Sequence, residues 1–348
     1  IRLQDYADGV VFRHERTLSA PKADRIELLR QMGAQTGQLF LLYDDASMQI
    51  DRSLEEACRA AKPLEMTDEY GVIHRLWPVS DRAFIERIRA AMAPQKLVIA
   101  DGHHRYETAL HLRNEFRERT GKIDPLAATE FAMATFVNTH SAGLVILPTH
   151  RLVGNLANFD FEQFRKDLQP YFDWYSYPFA NEQTRGAAYA EFTKDRAGHH
   201  GRQAIGVYPA AAEAAKAFYL FVLRRGTDLE SVLPDQTEAQ RGLDVVLLHR
   251  LILEKGLGIT AEAVASEKNI TYEREMEAAL TAVDSGKAQI AFLLNPARIE
   301  QVAEIALGGD VLPQKSTDFY PKLLSGETIY RVEGHVDAPA TEPAAARK

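Results

Sequence analysis

The chain has 348 residues, and at about 150 residues per domain that length suggests two or three domains rather than one. Hydrophobic residues make up 46% and charged residues 26%, which excludes intrinsic disorder over most of the length, because so much apolar surface does not stay solvated. With 41 Lys and Arg against 49 Asp and Glu, the net charge of −8 argues against an electrostatic grip on nucleic acid by the whole surface and leaves only a local basic groove.

The chain opens Ile1-Arg2-Leu3-Gln4-Asp5-Tyr6, with no apolar core of a secretory signal. It has no initial methionine and reads as already inside a domain, so an upstream segment is expected. His14-Glu15-Arg16-Thr17, followed by Lys22, Asp24 and Arg25, stands between a strand and the first helix. Such dense charge suits a cleft lining or a solvated connection, and composition favours the second. Ile26, Leu29 and Met32 recur at helical spacing, and Phe40 to Tyr43 follows as a strand. Cys58, the only cysteine, makes no internal disulfide and no thiolate zinc cage, so a reducing cytoplasm is the expected compartment. An amphipathic helix starts near Asp81, carries Phe84, Ile85, Ile88, Ala91 and Met92 on one face, and stops at Pro94. Leu97 to Ala100 then predicts a strand, Asp101-Gly102 a turn, and His104 to Arg119 a helix, together an α/β unit.

Strands are expected at Phe131 to Val137 and Leu144 to Leu147, with the His150-Arg151 pair just past a strand end. Helices at Phe161 to Leu168 and near Ala187 to Lys194 flank the aromatic segment Tyr171 to Phe179. Strands at Ala204 to Tyr208 and Ala217 to Leu223 precede a long helix through Leu243, Val246, Leu247 and Leu251, ended by Gly256. The longest apolar runs, such as Ala217 to Leu223, fall far short of the roughly 18 residues of a membrane span. The last third predicts a helix at Tyr272 to Val283, a strand at Gln289 to Leu294, a helix at Pro296 to Leu307 with proline in its first turn, and a strand at Thr328 to Val332. The tail after Asp337, rich in Ala, Pro and Glu, is expected to be disordered.

The segment Val98 to Ala109 carries the strongest chemical signal. A strand delivers Asp101 to its C-terminal end, where ligand crevices of α/β sheets open. Gly102 permits a sharp turn and close backbone approach. His103, His104 and Arg105 then start a helix whose N-terminus attracts anions. The competing reading is an ordinary N-terminal Asp with surface His and Arg. His104, Glu107 and His111 share a helix face, but the spacing does not match the zinc-protease pattern. Glu107 is read as an orienting partner of Arg105 or a phosphate-loop residue, and His111 as solvated.

A second signal is Gly308-Gly309-Asp310-Val311-Leu312-Pro313-Gln314-Lys315-Ser316-Thr317-Asp318-Phe319-Tyr320-Pro321-Lys322. It is no P-loop, since Gln314 rather than Gly precedes the lysine. Two prolines, two lysines and two aromatics still suit a substrate or nucleotide contact as well as a plain loop. His150 and Arg151 are further candidates, while His249 reads as a core histidine and His199-His200 as solvent-facing. No Gly-x-Ser-x-Gly elbow and no dinucleotide fingerprint occur.

Lys96 to Ala109, Gly143 to Arg151, Phe292 to Pro296 and Pro313 to Leu323 together resemble the bacterial and archaeal family catalogued as domain of unknown function 1015, over nearly the whole chain. The family carries no settled activity. The Asp-Gly-His-x-Arg turn is also similar to the phosphate-binding motif of the ParB/sulfiredoxin superfamily, which includes partition-protein nucleotide domains, sulfiredoxins and archaeal free-serine kinases. This likeness covers about the first 140 residues. It implies a ParB/sulfiredoxin-like nucleotide-binding core at 1–140 in a mixed α/β (α+β) fold, to which the alternating pattern adds a middle α/β domain at 141–265, a C-terminal α/β segment at 266–335 contributing to the cleft, and the tail at 336–348.

By the same resemblance Gly102, His103, His104 and Arg105 hold phosphate; Ser316 and Thr317, from the 308–322 segment, are further candidate phosphate contacts. Asp101, Glu15 and Lys315 are catalytic, with Asp101 also a ligand for Mg²⁺, and Glu15 aligns with the upstream base of the serine kinases. His150, Arg151 and Tyr320 are candidate substrate contacts. The expectation is a nucleotide-dependent phosphotransferase using ATP or ADP on a small hydroxyl compound such as free serine. The alternatives are a nucleotide-binding switch without turnover and a phosphoester hydrolase. A sulfiredoxin-like reductase is disfavoured because Cys58 is the only thiol available. Small-molecule substrate and nucleotide are the expected partners, without membrane or nucleic acid. The turn and Lys315, Ser316 and His150 are expected to share one cleft, because a helix terminus alone supplies only about half a charge.

Overall fold

Leucine-, isoleucine- and phenylalanine-rich runs alternate with amphipathic segments along the chain, and they fold as a mixed α/β structure. The computed structural model describes residues 1–15, 20–59, 61–198 and 202–332. Arg16, Thr17, His199, His200 and the tail at 336–348 lie outside the described residues. The chain divides into two units, one of residues 1–13, 17–141 and 322–348, the other of residues 14–16 and 142–321.

The first unit contains β1 (Val11–Arg13), α1 (Ala20–Met32), β2 (Ala34–Gln35), β3 (Leu39–Tyr43), α2 (Gln49–Arg59), β4 (Leu64–Thr67), β5 (Ile73–Leu76), α3 (Arg82–Met92), β6 (Leu97–Asp101), α4 (His103–Thr120) and β7 (Ala134–Asn138). Its main sheet has the order β1-β6-β3-β7. β6 runs parallel to β1 and antiparallel to β3. All five residues of β3 and the first four of β6 are buried, as central strands covered on both faces require. Ile99 and Leu41 pack with Val11, Tyr106 and Ala109, so the sheet and α4 share one core. The Asp81 carboxylate accepts from the Ala83 and Phe84 N–H groups at 2.9 and 3.3 Å and starts α3.

The second unit contains β8 (Val145–Leu147), β9 (His150–Val153), α5 (Phe161–Leu168), β10 (Phe172–Pro178), α6 (Glu182–Gly198), β11 (Ala204–Pro209), β12 (Ala217–Leu223), α7 (Leu229–Val232), α8 (Glu238–Arg241), α9 (Asp244–Leu247), α10 (Ala261–Ala265), β13 (Ile270–Glu273), α11 (Met276–Asp284), β14 (Ile290–Leu293), α12 (Ile299–Leu307) and β15 (Asp318–Tyr320). Residues Leu248–Gly256 continue α9 as π-helical turns. The large sheet has the order β10-β12-β11-β14-β9-β13, antiparallel throughout. Phe192 of α6 stacks on Phe218 of β12 at 5.4 Å between ring centroids. Gly206 of β11 makes room for it, since a Cβ there would lie 2.6 Å from the Phe192 ring.

Three expectations are corrected. Tyr272 lies in a strand, not a helix, because Ile270 to Glu273 pair with β9 while α11 starts only at Met276. Pro296 precedes α12 rather than opening it; the Gln301 side chain accepts from the Arg298 N–H at 3.1 Å and sets the start at Ile299. His150 and Arg151 follow the end of β8, but they are not in a loop: they open β9, which pairs with both β13 and β14. Among the described residues, no helix is long and apolar enough to cross a membrane.

Candidate functional site

In the first unit, β6 ends at Asp101 and α4 begins at His103, with Gly102 between them at φ 95° and ψ 22°. Only glycine enters this left-handed region at little cost. The same residue leaves room for Arg105: a Cβ on Gly102 would lie 3.0 Å from the Arg105 Nε and 3.2 Å from the Leu39 side chain. Gly102 supplies no side-chain cap, and the first bond of the helix runs from the Tyr106 N–H to the Gly102 carbonyl at 2.9 Å. The amides of the first turn therefore point out of the positive end of an 18-residue helix.

Around this end the side chains are ordered by charge. The Arg105 guanidinium donates to the Asp101 carboxylate at 2.9 Å, with Arg105 33% and Asp101 52% exposed. Burial pushes the Asp101 carboxyl up, but the Arg105 charge and hydrogen bond, with Lys322 beyond, hold it below the ordinary carboxylate range. Asp101 is thus ionised at neutral pH. His103 is buried and His104 half-buried. Glu107 pairs with Arg13 at 3.6 Å rather than orienting Arg105. His111 is 58% exposed beside Glu115 at 3.2 Å, the solvated helix residue expected. Sequence reasoning passed over Lys322 and Arg13 as members of this neighbourhood. In sequence Lys322 and Arg13 lie far from the turn, and nothing local in the chain links them to it.

The second unit gathers the other candidates. His14 and Glu15 run beside the Pro313–Asp318 loop: the Leu312 N–H donates to the His14 carbonyl at 2.8 Å, and Glu15 bridges Leu312 in parallel. The Lys315 N–H donates to Glu15 Oε1 at 3.3 Å, and Lys315 takes the left-handed conformation at φ 57°. The Ser316 hydroxyl donates to the Pro313 carbonyl. The Thr317 hydroxyl meets His14 Nε2 at 2.7 Å. The Ser316 hydroxyl thus braces its own loop and the Thr317 hydroxyl ties that loop to His14, while Lys315 is exposed.

Arg151 is fully buried. Its guanidinium donates to the Thr149 carbonyl and to those of Gln314 and Lys315, the last at 2.9 Å, and lies over the Tyr272 ring at 5.4 Å. Burial pulls it down to about 10, with Tyr272 and Glu15 resisting. Arg151 therefore fixes the backbone that carries Lys315 and, through it, Glu15. His150 is buried too; its Nδ1 accepts from the Leu294 N–H at 3.2 Å, and burial, then Arg196 and Arg151, push it down to about 4, so it is neutral at pH 7 with its proton on Nε2. Tyr320 is 48% exposed at the end of β15. Asp101 to Arg105 belong to one unit, and Glu15, His150, Arg151 and Lys315 to Tyr320 to the other. Among the described residues, no group of three or more His, Cys, Asp or Glu stands ready to hold a metal ion.

The family model described as "Protein of unknown function (DUF1015)" matches residues 1–279. The chain belongs to that family. No curated protein matches it. Among solved structures, similar ones include a conserved hypothetical protein from Pyrococcus furiosus, 13% identical, covering 92% of each chain at a TM-score of 0.41. A free serine kinase in complex with AMP is 14% identical, with 89% of this chain and 83% of that chain covered at a TM-score of 0.40. SbnI with a C-terminal truncation, from Staphylococcus aureus, is 10% identical, with 94% and 87% covered at a TM-score of 0.39. At these scores the three structures carry no argument about the chemistry of this chain.

Proposed function

We propose that this DUF1015 protein is a nucleotide-dependent phosphotransferase that passes a phosphoryl group from ATP or ADP to a small hydroxyl compound of the free-serine type. The observation that carries the reading is the Asp101–Arg105 turn: a strand end, a left-handed glycine, an 18-residue helix N-terminus and a guanidinium in one place. Helix amides and a cation are what a phosphate chain asks for.

Phosphoryl transfer is mostly positioning and charge neutralisation, so each part has a task. Gly102, His103, His104 and Arg105 hold the phosphates. Asp101, ionised beside Arg105, suits a cation better than a proton, and it is the residue that would hold Mg²⁺, which would supply charge neutralisation for the phosphates. In the second unit Glu15, its carboxylate oriented by the Lys315 amide, is the base proposed for an acceptor hydroxyl, and Lys315 the cation proposed for charge on a transferred group.

The test is direct. Full-length protein with Mg²⁺, ATP or ADP and a panel of hydroxy amino acids yields a phosphorylated acceptor, and Glu15→Gln loses that product while still binding nucleotide. No transfer to any acceptor removes the kinase reading. Release of inorganic phosphate without an acceptor makes the protein a hydrolase instead.

A further inference from the structure

Beside Arg105, within the first unit, lies a cavity of about 380 Å³ between α1, the β2–β3 connection and α4. Leu28, Leu29 and Met32 of α1 and Leu39 give it aliphatic walls. Among the described residues, its charged lining residues are Arg25 and Arg105. The polar side chains around it are largely committed elsewhere. Gln35 accepts from the Met133 N–H at 2.8 Å and donates to the Phe131 carbonyl at 3.4 Å, and the Thr108 hydroxyl donates to the His104 carbonyl at 2.7 Å.

We infer that this cavity is the nucleoside subsite: it takes the base and sugar of a nucleotide whose phosphates lie on the Gly102–Arg105 turn. The inference rests on the phosphotransferase reading for the placement of the phosphates and adds where the rest of the molecule goes. Its volume falls in the range of small-molecule pockets, about 300–1,000 Å³. Aliphatic walls that lead to the Arg105 guanidinium of the anion turn suit a ligand that joins an apolar plate to an anion. Leu28 and Met32, one helical turn apart, are 58% and 46% exposed and offer an apolar face on which a flat ring can rest. With Gln35 and Thr108 engaged by backbone, the base is gripped through its faces rather than its edges, so ATP and GTP bind within about tenfold of each other.

The experiment measures affinity of the full chain for ATP, GTP and inorganic tripolyphosphate. Two variants probe the cavity. Leu28→Ala with Met32→Ala strips the exposed wall, and Gly37→Leu fills the space, since a Cβ at Gly37 meets only Arg105 Cδ and Ser325 Oγ at ordinary contact, 3.5 Å. Wild type is expected to bind ATP and GTP at least tenfold more tightly than tripolyphosphate, and both variants to lose that difference while binding tripolyphosphate within twofold of wild type. Unchanged ATP affinity in both variants, or wild-type affinities equal for ATP and tripolyphosphate, overturns the subsite and leaves the anion turn standing. Binding of neither ligand by wild type removes the phosphotransferase reading together with the subsite.

Discussion

Gly102 shows how one residue type serves two ends. Its φ of 95° starts α4 directly from β6, and its missing Cβ leaves the Arg105 guanidinium in place. Gly102→Ala is therefore expected to cost about 1–2 kcal/mol of stability and to weaken nucleotide binding more than tenfold, read by urea unfolding and calorimetric titration. Retained affinity would mean that the turn is not where phosphate binds. Arg151 teaches the opposite lesson. By sequence it stands beside His150 as a candidate substrate contact, yet it spends its donors on the carbonyls of Thr149, Gln314 and Lys315 inside the fold. Removing it strands those carbonyls, so Arg151→Met is expected to destabilise the protein by about 3 kcal/mol. A variant as stable as wild type would show that the buried guanidinium is not what holds the loop. Nothing in the residue's type announces this role, because donor count is legible in sequence while partner geometry is not.

At the scale of elements, periodicity was most legible where strands are long and apolar. Ala217–Leu223 and Phe161–Leu168 are found with the bounds expected for them. It misled where polar residues sit in the core: β9 begins His150-Arg151 just after Pro148, so its hydrophobic pattern is broken although every residue is buried. Gly206 in β11 likewise reads as a weak strand position, and only the Phe192 ring against it explains the choice. Gly206→Ala is expected to lower stability by about 1–3 kcal/mol through overpacking, seen as a lower urea midpoint; an unchanged midpoint would mean that the ring shifts freely.

The buried titratable groups of these same elements set a pH dependence. Burial lowers His150 to about 4 and His249 to about 3, from an ordinary value of 6.5. The native state therefore binds fewer protons than the unfolded chain there, and the stability these histidines contribute, full above 6.5, is lost as pH falls toward 4. Asp244 works the other way: burial raises it from 3.8 to about 6, against Asn295, the Ala204 amide and Arg196, so its contribution is full below 3.8 and is lost as pH rises through 6. Two histidines outweigh one aspartate, and stability is expected to rise between pH 4 and 6.5. Asp244→Asn removes the opposing part and should steepen that rise in urea midpoints taken at several pH values. The same slope in both proteins would show that Asp244 is not raised.

On the scale of the whole molecule, the chain leaves its first unit at His14 for three residues and returns at Thr17, and Lys322 onward belongs again with the beginning. A reading along the sequence sees consecutive segments and has no means of detecting such an exchange, since the single bridge from Glu15 to Leu312 carries no periodicity of its own. The exchange is also what brings Glu15 to Lys315 across 300 positions of sequence, an association that order in the chain only hinted at. The anion turn was legible because its parts are local: a buried strand, Asp-Gly and a basic first helical turn are contiguous letters. The account depends on that turn holding the phosphates of a nucleotide, and calorimetric titration of full-length wild type and Arg105→Ala with ATP and Mg²⁺ tests it most directly. Wild type should bind, and Arg105→Ala should bind at least tenfold more weakly, about 1.4 kcal/mol or more, with its melting temperature unchanged because the side chain is a third exposed and leaves no cavity. Equal affinity in the two proteins would contradict the account.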